Sequence, residues 1–249
     1  MSTSARLRRL DWDSRHFGLE IAQLDTPPDT EAELASVMRE ARESGIDCVY
    51  CLVAADDFEQ AWRLEAVGFV ARDLRLEFHR HVDSTSAAVA QDLRPCTDSD
   101  VDVLAGMSAS GFRRTRFAAD PGFPRVAVAR LYDVWLRNSV TGYADAVLVS
   151  GPVGAPQGFV TLHSSGQAAR IGLIAVDPAA RVGGVGRRLV AGAIQWAAVR
   201  ECNEMRVVTQ GSNTAAQRLY QRNGFLSASA QTWFHAWPFQ AREHMETPH

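Results

Sequence analysis

The sequence predicts a mixed α/β protein (α+β in its strand pairing), with a smaller N-terminal αβ half-domain ahead of a larger second domain. Three observations carry this prediction. Apolar runs of strand length alternate with helix-length stretches that are apolar on one face. A unit of strand, capped helix, glycine and strand occurs once in each half. In the second half, two strands joined by a Gly/Pro turn precede a strand–helix–strand crossover, which makes the start antiparallel and the continuation parallel.

The repeated unit reads Cys51-Leu52-Val53, Asp57, a helix-like stretch and Gly68-Phe69 in the first half. In the second half it reads Val207-Val208-Thr209, Asn213, a helix-like stretch and Gly224-Phe225. Asp57 to Gly68 and Asn213 to Gly224 are both 11 apart. Asp and Asn cap helix starts well and Gly commonly follows a helix end, so the match is either a duplication or a common connection met twice. The alternation of Leu74, Leu76 and Phe78 marks a strand, and the small residues 84–91 after it read as a linker. The expected division is therefore an N-terminal domain over 1–83, the linker, a second domain over 92–239 and a frayed tail over 240–249.

The second domain is read in order as follows. A strand lies near Val89–Arg94, a helix near Ser99–Ala109, and a Phe/Arg-rich loop leads to a helix opened by Pro124. Strands follow at Asp145–Ser150, Gly158–His163 and Arg170–Val176. The helix over Gly184–Arg200 has Val185, Leu189, Ala193, Trp196 and Ala197 on one face. Strand Met205–Thr209, helix Asn213–Arg222 and a strand pair over Phe225–Trp237 complete it.

Composition narrows the chemistry. The chain has 249 residues, 46% hydrophobic and 22% charged, with net charge −3, which suits a soluble globular protein and argues against a nucleic-acid binder. All 26 basic residues are Arg. Without any Lys there is no Schiff-base chemistry and no standard P-loop. Cys48 and Cys51 lie three apart on a buried strand and point to opposite faces, and the seven His show no ligand spacing, so no metal site is expected. No signal core or membrane-length apolar run is seen, so a cytoplasmic protein with reduced thiols and no membrane partner is expected.

The chemistry-bearing stretch runs from the strand Ile171–Val176 through Asp177-Pro178 and Arg181-Val182-Gly183-Gly184-Val185-Gly186-Arg187-Arg188 into an apolar helix. Glycines allow a tight turn and let an anion approach the backbone N–H groups. The helix start adds unpaired N–H groups and a partial positive charge, so a pyrophosphate is accommodated without lysine. Arg181, Arg187 and Arg188 add charge around the mouth.

The spacing Val-x-Pro-x-x-Arg-x-x-Gly-x-Gly, present here as Val176-Asp177-Pro178-Ala179-Ala180-Arg181-Val182-Gly183-Gly184-Val185-Gly186, resembles the acetyl-coenzyme A motif of the GCN5-related N-acetyltransferases (GNAT). Asn213 opening a helix, Tyr220 within it and Gly224-Phe225 closing it resemble a second block of that family, and the likeness covers about 92–238. The resemblance implies a central splayed mixed sheet with acetyl-coenzyme A as co-substrate between the strands at 170–176 and 205–209. It implies that backbone groups of Leu173, Ile174, Ala175 and Val176 pair with the pantetheine arm, that the turn Arg181, Val182, Gly183, Gly184, Val185, Gly186 and Arg187 holds the pyrophosphate, and that Asn213 and Leu219 touch the cofactor. It also implies that Tyr220 is the general acid for the leaving thiolate, a role suited to a phenol that stays protonated at neutral pH. His163, Asp145 and Glu204 are all candidates for the base, as is a water chain, and the base is left unassigned.

The loop from Gly111 to Arg125 holds four Arg and three Phe. Arg114 and Arg116 could grip phosphate and Phe117 could cover a ring, or the loop is a solvated basic segment with Phe anchors in the core. The opening Leu10–Gly18, the Thr115-Arg116-Phe117 site and Asn213-Thr214-Ala215-Ala216 leading to Tyr220 resemble the dTDP-fucosamine acetyltransferase group of the family. That resemblance implies a nucleotide-linked amino sugar as acceptor. Two alternatives stay open: another small amine or peptide acceptor, and a non-catalytic coenzyme A-binding module. A homodimer stays open too. The N-terminal half has no Arg-x-x-Gly-x-Gly turn, and Leu64 stands where Tyr220 stands relative to its glycine, so that half is expected to be supporting.

Overall fold

The computed structural model describes residues 7–83, 93–111 and 115–239, with the side chains of 110, 181 and 182 left aside. The expected linker 84–91 and tail 240–249 lie outside the described residues, as does Arg114. Two compact units divide the chain. Among the described residues, the first holds 7–75, 115–128 and 230–239; the second holds 76–83, 93–111 and 129–229. Segments 115–128 and 230–239, which the sequence places in the second domain, therefore cluster with the first unit.

In the first unit, β1 (Leu7–Arg9), β2 (Ile21–Leu24) and β3 (Cys48–Ala54) lie side by side, with α1 (Asp11–Phe17), α2 (Glu31–Glu43) and α3 (Phe58–Ala66) between or after them. β2 and β3 are parallel, paired from Ile21↔Cys48 to Leu24↔Cys51. The core joins Leu24, Leu34, Met38, Val49, Cys51 and Leu64. Cys48 and Cys51 are free thiols buried in β3. Burial raises both thiols, Cys51 to about 12, so neither is a ready thiolate.

In the second unit, the later part of β4 (Val70–His81) borders β9 (Glu204–Gln210), followed in order by β8 (Ala168–Val176), β7 (Gly158–Ser165), β6 (Ala146–Ser150) and β5 (Leu93–Pro95). β5 to β8 are antiparallel neighbours and β8 pairs with β9 in parallel, as predicted from the strand–helix–strand order. A 3₁₀ turn (Asp98–Asp100) precedes α4 (Val101–Gly111); α5 (Arg125–Asn138), α6 (Val185–Val199) and α7 (Thr214–Arg222) complete the helices. Val185, Leu189, Ala193 and Ala197 of α6 bury their common face against Val160, Leu162 and Ile171 of the sheet.

The end of the chain differs from the expected strand pair. β10 is one continuous strand, Leu226–Ala236. The stretch Ser227-Ala228-Ser229-Ala230 has no Gly, Pro or Asn to turn the chain, so the extended backbone runs on. Its last residues lie antiparallel to β3, from Gln231↔Ala54 to Ala236↔Val49.

The two repeated units agree in detail. Asp57 caps α3 by accepting from Gln60 N–H at 3.0 Å, and Asn213 caps α7 by accepting from Ala216 N–H at 3.1 Å. Each helix closes on a glycine of positive φ, Gly68 at 100° and Gly224 at 78°. Phe69 N–H returns to Leu64 C=O at 3.0 Å, and Phe225 N–H to Tyr220 C=O at 3.1 Å. Leu64 thus holds in one helix the place that Tyr220 holds in the other.

Candidate active site

The residues predicted to meet acetyl-coenzyme A lie in the second unit, around the point where β8 and β9 part. Their ladder runs from Ala168↔Glu204 to Ile171↔Val207 and ends there, although β8 continues to Val176 and β9 to Gln210. A bulge faces this point: β7 pairs Val160 with Ile174 and Leu162 with Ile171, so Gly172 and Leu173 together oppose Thr161. The Thr161 hydroxyl accepts the Leu173 N–H at 2.8 Å, and Asp177 N–H reaches Gln157 C=O at 2.9 Å. Backbone groups of alternate strand residues point to opposite edges. Leu173 and Asp177 are therefore turned towards β7, and Ile174 and Val176 present their N–H and C=O groups to the edge that β9 has left. Of the four strand residues predicted to meet a pantetheine arm, Ile174 and Val176 have the required direction.

Beyond β8 the chain enters a 3₁₀ turn, Pro178–Gly183, whose start Asp177 caps by accepting from Ala179 N–H at 2.8 Å. Gly184 follows at φ 71°, a left-handed conformation that explains its residue type, and α6 begins at Val185 with no side-chain cap. The first N–H groups of that helix are left for an outside acceptor. A Cβ built on Gly183 would meet nothing within 4 Å, so the turn is open on that side. Arg187 is exposed, whereas Arg188 folds back to donate to Gly183 C=O at 2.6 Å and steadies the turn. Arg181 and Val182 lie in the 3₁₀ turn.

Tyr220 is buried on α7, with its ring 5.9 Å from Phe78 and 5.9 Å from Phe225. Burial alone pushes its phenol above the ordinary value, so the proton stays on oxygen at neutral pH. Leu219 packs beside the start of α6 next to Gly186, and Asn213 is exposed at the helix cap.

The three candidate bases have different surroundings. Asp145 accepts from the Ser164 N–H at 2.6 Å and its hydroxyl at 3.0 Å, which holds its carboxyl below the usual range. Glu204 pairs with Arg206 at 3.0 Å. His163 is buried on β7, and no described residue gives its Nε2 a partner.

Arg116 and Phe117 belong to the first unit. The Arg116 guanidinium lies over the rings of Tyr50, Phe117 and Trp233 at 4.1, 4.1 and 4.3 Å, and donates to His235 Nε2 at 2.7 Å. The other nitrogen of His235 donates to Asp120 at 2.7 Å, and Asp120 also meets Arg72 at 3.1 Å. Burial holds the imidazole down to about 4, so it is neutral and accepts from Arg116. Phe117 packs among Phe17, Tyr50 and Phe123. This network escaped sequence reasoning because Asp120 and His235 are distant in sequence and neither carries a local motif. Among the described residues, no group of three His, Cys, Asp or Glu could hold a metal ion, and no helix is long and apolar enough to cross a membrane.

The second unit thus brings together parallel strands that part above a bulge and a glycine turn into an uncapped helix. Residues 113–225 match the Acetyltransferase (GNAT) family. That stretch is similar to the acetyltransferase domain of the family, whose members use acetyl-coenzyme A as co-substrate. More particularly, it is 28% identical over 245 residues to dTDP-fucosamine acetyltransferase of Escherichia coli O6:H1, covering 94% of this chain and 100% of that protein. It is 26% identical over 147 residues to the spore coat polysaccharide biosynthesis protein SpsD of Bacillus subtilis (strain 168), covering 59% of this chain and 51% of that one. In fold it is similar to a GCN5-related N-acetyltransferase from Sphaerobacter thermophilus, with a TM-score of 0.66 at 15% identity over 98% of this chain and 80% of that one.

Proposed function

We propose that this acetyltransferase moves the acetyl group of acetyl-coenzyme A to the primary amine of a nucleotide-linked amino sugar, by direct attack in a ternary complex. The observation that carries the reading is the parting of β8 and β9 beyond Ile171↔Val207, next to an uncapped helix start. The open edge at Ile174 and Val176 offers backbone pairing to the pantetheine amides, as an added strand would. The turn from Arg181 to Arg187 offers N–H groups and positive charge to the diphosphate. Residues 92–239 form the acetyltransferase domain in this reading and 1–83 support it.

Tyr220 is the general acid: it keeps its proton at neutral pH and gives it to the leaving thiolate. The acceptor class rests on the full-length likeness to dTDP-fucosamine acetyltransferase. Arg114, Arg116 and Phe117 are its proposed contacts. A second reading, a small amine without phosphate, is favoured by the engagement of Arg116 with His235 and three rings. Steady-state thiol release with acetyl-coenzyme A, comparing dTDP-linked 4-amino sugars with simple amines, separates the two. A kcat/KM at least a hundredfold higher for the nucleotide sugar is expected. Equal values for both classes would sink the acceptor assignment.

A further inference from the structure

We infer that His163 is the general base of this site, taking the proton of the attacking amine on Nε2 above Gly172. The inference rests on the acetyl-transfer reading above and adds to it the residue that removes the amine proton.

Gly172 is the first residue of β8 beyond the last pair with β9. A Cβ on Gly172 would lie 2.7 Å from His163 Nε2 and 2.7 Å from Thr161 Oγ1. The space that a side chain at 172 would fill is therefore held by the imidazole of β7, at the level where the strands part. Nε2 is buried and no described residue partners it, although buried polar atoms are nearly always paired. An unpaired acceptor at a reacting centre is the expected state of a base waiting for substrate.

The Tyr143 backbone acts on the imidazole to raise its proton affinity, and Nε2 has no partner among the described residues. The assignment requires the tautomer with the hydrogen on Nδ1 and the lone pair on Nε2. The Tyr143 ring packs edge-on at 5.2 Å. Burial and Arg170 on β8 hold the imidazole below its ordinary value, against the opposing effects of Asp145 and the Tyr143 carbonyl. The ring is thus neutral at pH 7 and able to accept. Asp145 and Glu204, the other two carboxylate or imidazole candidates named from sequence, already serve Ser164 and Arg206.

The amine lone pair forms the N–C bond to the thioester carbon, and the amine proton passes to Nε2. The C–S bond breaks and sulfur takes the phenolic proton of Tyr220. The imidazolium and phenolate then exchange one proton through solvent, and both return to their starting forms.

The test uses the full chain, acetyl-coenzyme A and the panel amine that the wild type acetylates fastest. His163→Gln should lower kcat by about a hundredfold or more. Its calorimetric Kd for acetyl-coenzyme A should stay within about threefold, and the acid limb of the wild-type kcat/KM profile, centred below pH 6.5, should vanish. Added imidazole should restore part of the rate of His163→Ala. A His163→Gln enzyme within tenfold of wild type, or one that keeps the acid limb, overturns the assignment. Nitrogen NMR of the wild-type ring needs no variant: Nδ1–H at pH 7 is expected, and an Nε2–H tautomer overturns the assignment even where the variants do not fold. A wild type that binds acetyl-coenzyme A but acetylates no amine sinks the acetyl-transfer reading instead.

Discussion

Leu219 of α7 packs against Gly186 of α6: a Cβ on Gly186 would lie 3.3 Å from Leu219 Cδ2 and 3.7 Å from its Cδ1. The last glycine of the turn motif thus answers to helix packing as well as to backbone exposure. Tyr220 is the next residue on α7, so the Gly186–Leu219 contact also sets where the phenol sits.

Gly186→Ala should be close to neutral in stability, because ~1 kcal/mol of helix propensity offsets a contact that the end of a leucine can relieve. Gly186→Val should cost about 1–3 kcal/mol by overpacking against Leu219 and Val176. Urea unfolding of both variants checks this, and equal stabilities would show that α7 does not depend on the small residue.

Tyr220→Phe should keep the ring contacts with Phe78 and Phe225 and therefore the unfolding midpoint. Its kcat should fall by about a hundredfold or more while acetyl-coenzyme A affinity stays near wild type. Unchanged kcat in a thiol-release assay would remove the phenol from the reaction.

His235 gives stability a pH dependence of known sign. Its imidazole is lowered from the ordinary 6.5 to about 4 by burial, so between these values the unfolded chain binds a proton that the folded chain refuses. The stabilisation is present above pH 6.5 and is lost as pH falls towards 4, at up to ~1.4 kcal/mol per pH unit. Urea titrations of wild type and His235→Gln across this window should differ in slope by about one proton. Parallel slopes would contradict the buried neutral imidazole.

Asp100 acts at lower pH. Arg94 meets its two oxygens at 2.6 and 2.8 Å, and Thr97 and Gly154 N–H groups donate at 3.0 and 3.0 Å, which holds the carboxyl far below the usual range. Its contribution is complete above pH ~4 and is lost on further acidification. Asp100→Asn should destabilise by about 1–3 kcal/mol at pH 7, because it weakens the charge-assisted bonds from Arg94, which keeps its carbonyl partners Gly151 and Pro152. A loss below 1 kcal/mol by urea unfolding would show the pair to be dispensable.

Arg116→Lys should be nearly as harmful as Arg116→Ala. The ammonium keeps the charge but not the planar group that stacks on Tyr50, Phe117 and Trp233 while reaching His235. Thermal unfolding checks it, and a Lys variant with wild-type Tm would show that charge alone is needed.

What the sequence determined by itself was local. The caps Asp57 and Asn213, the closing glycines 68 and 224, the turn around Gly184 and the order of elements from α4 to α7 were legible, because each follows from backbone conformation and from hydrogen bonds within a few residues. Only the tertiary structure decided that segments 115–128 and 230–239 join the first unit, that Arg116 is held by His235 and Asp120, and that His163 stands over Gly172. Those relations join residues far apart in the chain through strand pairing and close packing, and no local pattern records which distant partner a buried side chain will meet.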